Sequence, residues 1–163
     1  MTIKNLTKIA ARLKKAVKAK ERIVLYGDSD LDGVCSVIIM QETLKSLGGN
    51  VSAIYFPDRE KDGYGITKKA LQELQKLSPA ILCVMDMGIS NFAEVDLAKK
   101  EGFEVLIIDH HKVLDKLPSA DIIVDPLQPG DQYPFKQFAA CGLTFRVAET
   151  LLGKSMSPSL RKS

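Results

Sequence analysis

The chain has 163 residues, of which 45% are hydrophobic and 26% charged, with a formal net charge of +3. This suits a single domain with its own core, and a charge this small is no argument for a nucleic-acid partner by itself. No apolar run approaches the roughly 20 residues of a bilayer crossing, and Met1-Thr2-Ile3-Lys4 lacks the apolar core of a secretion signal, so no membrane association is expected. Cys35, Cys83 and Cys141 are odd in number and form no Cys-x-x-Cys pair. They argue against a disulfide or zinc framework and fit a reducing cytoplasm, and their apolar neighbours make each a small buried hydrophobe.

Along the chain, Ile3, Leu6, Ile9, Ala10, Leu13 and Val17 recur at helical spacing and predict an amphipathic helix over residues 2–20. Its lysines and Arg12 form a basic outer face, read as a solvated surface in preference to a nucleic-acid contact. Residues 1–21 are expected to pack as this helix on a domain formed by residues 22–163. Mostly apolar or β-branched runs predict strands at 22–27, 51–56, 80–85, 104–108 and 121–124. Helical patterns fall at 33–47, 67–77, 91–101 and 138–152. The alternation predicts an α/β fold of three layers, with a central, mostly parallel five-stranded sheet flanked by helices.

In such sheets ligands gather beyond the carboxyl ends of the strands. Three apolar runs deliver chemistry there: Arg22–Gly27 runs into Asp28-Ser29-Asp30-Leu31-Asp32-Gly33, Ile81–Met85 into Asp86-Met87-Gly88, and Glu104–Ile108 into Asp109-His110-His111. The two histidines are the only ones in the chain. Asp28-x-Asp30-x-Asp32-Gly33 has the opening spacing of a calcium-binding EF-hand loop, but the twelfth position is Ile39 instead of Glu, and a strand precedes the loop where a helix is required. Three aspartates within five residues repel one another unless a cation intervenes. Hard oxygen donors with imidazole suit manganese or magnesium, and two such ions bridged by a carboxylate can activate water and neutralise a phosphoryl group. Asp86, on the middle strand of the three, is the natural bridge. Gly27 and Gly33 permit a tight acidic turn. Gly63-Tyr64-Gly65 lacks dinucleotide-fingerprint spacing, and no Walker sequence or nucleophile elbow is present.

Tyr26-Gly27-Asp28-Ser29-Asp30-Leu31-Asp32-Gly33, Asp86-Met87-Gly88 and Asp109-His110-His111 resemble the first three motifs of the DHH phosphoesterase superfamily. Within it the chain is most similar to the RecJ-type single-strand exonuclease branch. Further matches are Pro57 through Gly65, Asp125-Pro126 leading to Tyr133-Pro134-Phe135-Lys136, and Cys141-Gly142-Leu143-Thr144-Phe145. The resemblance implies a hydrolase that uses two Mn2+ ions, with Mg2+ the second choice, to cleave phosphodiester bonds in single-stranded nucleic acid or short oligonucleotides. It makes Asp28, Asp30, Asp32, Asp86 and His110 metal ligands, with Asp86 bridging. It places His111 against the scissile phosphate and Asp109 behind the imidazoles as their support. Arg59, Tyr64 and Lys112 are candidate substrate contacts, Tyr64 by stacking on a base.

Two departures from the pattern stand out. Tyr26 occupies a position where several relatives, the manganese pyrophosphatases among them, have a histidine ligand; RecJ-like members often lack it too. Such enzymes also carry a fourth motif with a further Asp some way beyond the histidine pair, where Gly153-Lys154-Ser155-Met156-Ser157-Pro158-Ser159 contains no acid. Asp125 follows a strand where relatives often have Asn, and it lies too early to be that motif. The expectation is therefore a chain ending before the fourth motif and the second, substrate-gripping domain. The alternatives are a non-catalytic scaffold of the same fold and a phosphodiesterase for short RNA or cyclic dinucleotides.

Overall fold

The computed structural model describes residues 2–153. The elements are α1 (Leu6–Ala19), β1 (Arg22–Gly27), α2 (Leu31–Ser46), β2 (Asn50–Tyr55), α3 (Lys68–Leu74), β3 (Ala80–Met85), α4 (Phe92–Lys100), β4 (Phe103–Ile108), β5 (Ile122–Val124) and α5 (Ala140–Leu152). The strands form one sheet in the order β2-β1-β3-β4-β5, and every neighbouring pair is parallel. All six residues of the central strand β3 are buried, whereas the edge strand β2 has none. This is why residues 80–85 read as a continuous apolar run.

Successive strand residues face opposite sides. Ile23, Leu25, Ile81, Cys83 and Met85 enter one core with α1, α2 and α5, while Val24, Tyr26, Leu82 and Val84 enter the other with residues of α3 and α4. Ile9 and Leu13 of α1 are fully buried in the first core, and burying a large aliphatic side chain of this kind stabilises by about 2 kcal/mol.

Several boundaries move for local reasons. Helix α1 begins at Leu6 rather than residue 2 because Asn5 adopts φ 63°. The Asn5 side chain donates instead to the Ile123 carbonyl at 2.9 Å, and Ile3 is buried ahead of the helix. The helix expected over 67–77 is α-helical only to Leu74 and tightens to a 3-10 turn over Gln75–Leu77. α5 starts at Ala140, with Phe138 packed against the core before it.

Two side-chain readings need correction. Cys83 is buried, but Cys35 and Cys141 are only half-buried. Arg12 is not part of a solvated basic face. Its guanidinium donates to both carboxylate oxygens of Glu104 at 2.6–3.0 Å and to Glu21 at 2.6 and 3.3 Å, tying α1 to the start of β1 and to β4. The acid-free stretch from Lys154 lies outside the described residues.

Replacing Arg12 leaves two facing carboxylates without their shared cation. Because the network is half-buried and charge-assisted, Arg12→Gln is expected to destabilise the fold by about 1 kcal/mol, read as a lower urea midpoint with an unchanged slope. An unchanged midpoint would show that the network contributes nothing net.

Candidate metal centre

The sheet ladder continues one residue beyond its strands at the carboxyl edge. Asp28 N donates to Met85 O at 3.3 Å, Asp86 N to Ile108 O at 3.0 Å, and Asp109 N to Val124 O at 3.0 Å. Since Gly27 pairs with Met85, Met85 with Ile108, and Ile108 with Val124, the residues that follow share one rung: Asp28, Asp86, Asp109 and Asp125. All four are at most 2% exposed. The strand order reverses between β1 and β3, which is where a parallel sheet opens its crevice. Asp28 and Asp86 flank that opening.

The four carboxyl groups meet different environments. Asp28 accepts from Arg59 Nε at 3.0 Å, from an Arg59 terminal nitrogen at 2.5 Å, and from Ser29 N at 2.7 Å. Asp109 is opposed by burial, but His111 Nδ1 at 2.7 Å and the backbone amides of Ile89, His110 and His111 hold its carboxyl below the usual carboxylate range. Burial, then the charges of Asp32 and Asp30, push Asp86 up to about 8. Burial likewise pushes Asp125 up to about 7, despite a 2.7 Å bond from Leu127 N. Asp86 and Asp125 each keep one buried oxygen without a hydrogen-bond partner.

The acidic turn after β1 adds Asp30 and Asp32. Asp30 caps α2, accepting from Gly33 N at 3.0 Å, and this bond is the leading cause of its lowered pKa. A Cβ on Gly33 would lie 2.2 Å from the Asp28 carbonyl oxygen, so the turn can close only with glycine there. Asp32 reaches across to α5, where its two oxygens accept the Ala140 and Cys141 amides, each at 2.8 Å. It supplies the N-terminal cap that α5 lacks locally.

Donor atoms converge in two sets, Asp28–Asp30–Asp86 and Asp86–His110–His111, within each of which the atoms lie no more than 4.8 Å apart. Asp86 belongs to both. His110 Nε2 stands 3.1 Å from the unpartnered Asp86 Oδ1 and 3.6 Å from Asp32 Oδ2. A spacing of about 3 Å is the edge of an octahedral shell with bonds near 2.1 Å, so these residues fit a hard divalent cation. The proton that burial keeps on Asp86 would leave when such a cation binds.

His111 accepts no metal through Nδ1 while that atom is held by Asp109. The Asp109 bond pushes its pKa up to about 9, leaving an imidazolium near neutral pH. Tyr64 stands edge-on to His111 with ring centroids 6.4 Å apart, and the Arg59 guanidinium lies 5.6 Å from the centre of the Tyr64 ring. Lys112 is exposed beside His111. Gly65 has φ 85°, and a Cβ there would strike the Asn91 side chain at 2.6 Å, so the loop bearing Tyr64 closes tightly on the turn before α4. Arg59, read from sequence as a phosphate contact, is engaged here with Asp28 and, at 3.1 Å, with Asp30. A cation of the chain itself thus relieves the repulsion expected within the acidic turn.

Asp125 lies too early in the sequence for a fourth motif, yet its signal is present. Like the other three it directly follows an apolar run, Ile122–Val124. Because its folded pKa of about 7 exceeds the ordinary value near 3.9, the folded chain holds a proton that the unfolded chain has released, and stability falls as pH rises between about 4 and 7. Asp125→Asn removes that loss. Its stability advantage over the parent is expected to grow across this interval by up to a few kcal/mol and to level off above it, as followed by urea unfolding against pH. An advantage independent of pH would contradict the assignment.

The DHH family, N-terminal domain, matches residues 22–162. The single-stranded-DNA-specific exonuclease RecJ of Bacillus subtilis is 40% identical over 152 residues, covering 93% of this chain and 19% of that protein. The Escherichia coli RecJ is 32% identical over 133 residues, covering 82% and 23%. Among solved structures, an exonuclease RecJ bound to manganese superposes with a TM-score of 0.84 at 29% identity, over 93% of this chain and 38% of that one. RecJ of Thermus thermophilus in complex with Mn2+ gives 0.76 at 27% identity, over 93% and 21%. The chain therefore spans about a fifth to a quarter of the length of these curated relatives. By family match and by identity, it belongs to the DHH family and carries that family's N-terminal domain.

Proposed function

We propose that this chain is the metal-binding domain of a RecJ-type phosphodiesterase that hydrolyses single-stranded nucleic acid or short oligonucleotides, with Mn2+ preferred and Mg2+ second. The observation that carries the reading is Asp86. It is buried, shared by both donor sets, and has an oxygen without a hydrogen-bond partner. Two solved structures that superpose on this chain are of RecJ bound to manganese or in complex with Mn2+. Asp28, Asp30, Asp32, Asp86 and His110 would hold two ions. When bound, such ions activate water as a nucleophile and neutralise charge on the phosphoryl group.

The remaining roles follow from the chain's own groups. Asp109 fixes His111 through Nδ1 and leaves Nε2 to donate to a phosphate oxygen, the cationic imidazole strengthening that bond. Arg59, once released from Asp28 and Asp30 by a metal, is placed to take a second phosphate. Tyr64, 57% exposed, offers a face to a base, and Lys112 adds positive charge at the same lip. Residues 1–21 act as a helix packed on the domain, and residues 22–163 as the unit that holds the site. No helix among the described residues is long and apolar enough to cross a membrane, and three free cysteines fit the reducing cytoplasm.

The test is release of mononucleotides from single-stranded DNA in Mn2+, compared with the metal-free protein and with Asp86→Ala. Turnover should require metal and fall by at least a hundredfold in the variant. Equal activity in both proteins would remove Asp86 from the reaction. Manganese binding without hydrolysis of DNA, short RNA or cyclic dinucleotides would favour the second reading, a domain that holds metal but does not turn over substrate by itself, as a scaffold or as part of a larger enzyme.

A further inference from the structure

The strongest feature outside the metal centre lies on α1. Lys8, Lys14, Lys15 and Lys18 are exposed, and none has an ion-pair partner among the described residues. At 3.6 residues per turn the four fall within an arc of about 120°, forming a stripe roughly 15 Å long. Arg12, the other cation within the helix, is consumed by Glu21 and Glu104. Residues 1–20 hold six lysines, one arginine and no acid, so the remainder of this +3 chain is net −4. Unrelieved lysines along one helix face repel one another, which a polyanion would relieve.

Beside the stripe is a groove of about 340 Å³, walled by Lys14, Lys18 and Lys20 and floored by Val17 and Leu47. Lys20 is fixed by a 2.7 Å bond to the Gly48 carbonyl. The groove sits where α1 feeds β1, at the amino edge of the sheet. The other end of α1 is held at the carboxyl-edge loops, where Lys4 Nζ donates to Pro129 O at 2.6 Å and Asn5 to Ile123 O. The helix thus runs the height of the sheet, about 20 Å, from the rim near Asp125 to the groove.

Spaced cations along the stripe and around the groove suit the phosphates of an extended polyanion. A lipid surface is a poorer match, because the exposed residues interspersed with these lysines are Thr7, Ala11 and Ala19 and not the bulky anchors of an interfacial helix. Resting on the phosphodiesterase reading above, we propose that the α1 lysine stripe and its groove bind the distal part of single-stranded nucleic acid whose end occupies the metal centre. The acidic carboxyl edge repels a polyanion and the basic pole attracts it, so the strand is held away from the reacting bond as well as at it.

The test compares K8Q/K14Q/K15Q/K18Q with K68Q/K76Q/K100Q/K116Q, which removes the same charge from exposed positions elsewhere on the chain. Binding of a fluorescently labelled oligothymidylate of about 20 nucleotides is followed by anisotropy in EDTA across a salt series. The α1 variant should lose at least tenfold in affinity, and its salt slope should become shallower by roughly 2–3, at about 0.7 for each phosphate no longer neutralised. The control should lose much less. In Mn2+, KM for the long strand should rise in the α1 variant while hydrolysis of a dinucleotide stays at the parent rate. Equal losses in both variants, an unchanged salt slope, or lysine-dependent binding to phosphatidylserine vesicles in place of the oligonucleotide would overturn the proposal. If no protein hydrolyses any substrate, the phosphodiesterase reading fails, and the anisotropy series still decides this one.

Discussion

Four parallel strands of this sheet each end in an aspartate on the same rung, and the rest of the site is a response to that repulsion. Adjacent strands lie about 4.8 Å apart, so four ionised carboxylates in a row could not be buried together at neutral pH. The fold treats them alternately. Asp28 receives Arg59, and Asp109 receives three amides and an imidazole. Asp86 and Asp125 receive too little and are pushed up toward neutrality. The group left least satisfied, Asp86, is the one where both donor sets meet. An incompletely compensated buried carboxyl costs stability, and a divalent cation removes that cost.

Stability and site are coupled most tightly through Asp32. A single carboxylate closes the N-terminus of α5, follows the cap of α2, and stands 3.6 Å from His110. The two helices pack on each other over the same sheet face, so their relative placement and the aspect of the acidic turn are set by one side chain. Gly33 makes that turn possible, since any side chain would collide with the Asp28 backbone. Asp86 itself is held at φ 63°, a conformation non-glycine residues adopt rarely and that recurs at functional positions.

Much of this was legible in the sequence because its signals were local. Apolar runs of strand length, helical periodicities between them and acids at the strand ends place the five strands, the parallel sheet and the convergence of Asp28, Asp86 and Asp109. What was not legible depends on partners far apart in the chain. Arg12 reads as one more solvated cation until Glu21 and Glu104 are brought to it, 9 and 92 residues away. The late start of α5 depends on a cap 108 residues distant. Arg59 gave no sign that it would neutralise Asp28. Asp125 was visible as an acid after a strand, but only the register places it on the rung with the other three.

We propose that Asp86 is the shared ligand of two metal ions at the reversal of strand order. Diffraction from crystals grown in Mn2+, recorded at the manganese absorption edge, tests it most directly. Two anomalous peaks are expected, both within bonding distance of Asp86, one toward Asp28 and Asp30 and the other toward His110. A single peak, two peaks of which one bypasses Asp86, or none at this edge of the sheet would contradict it.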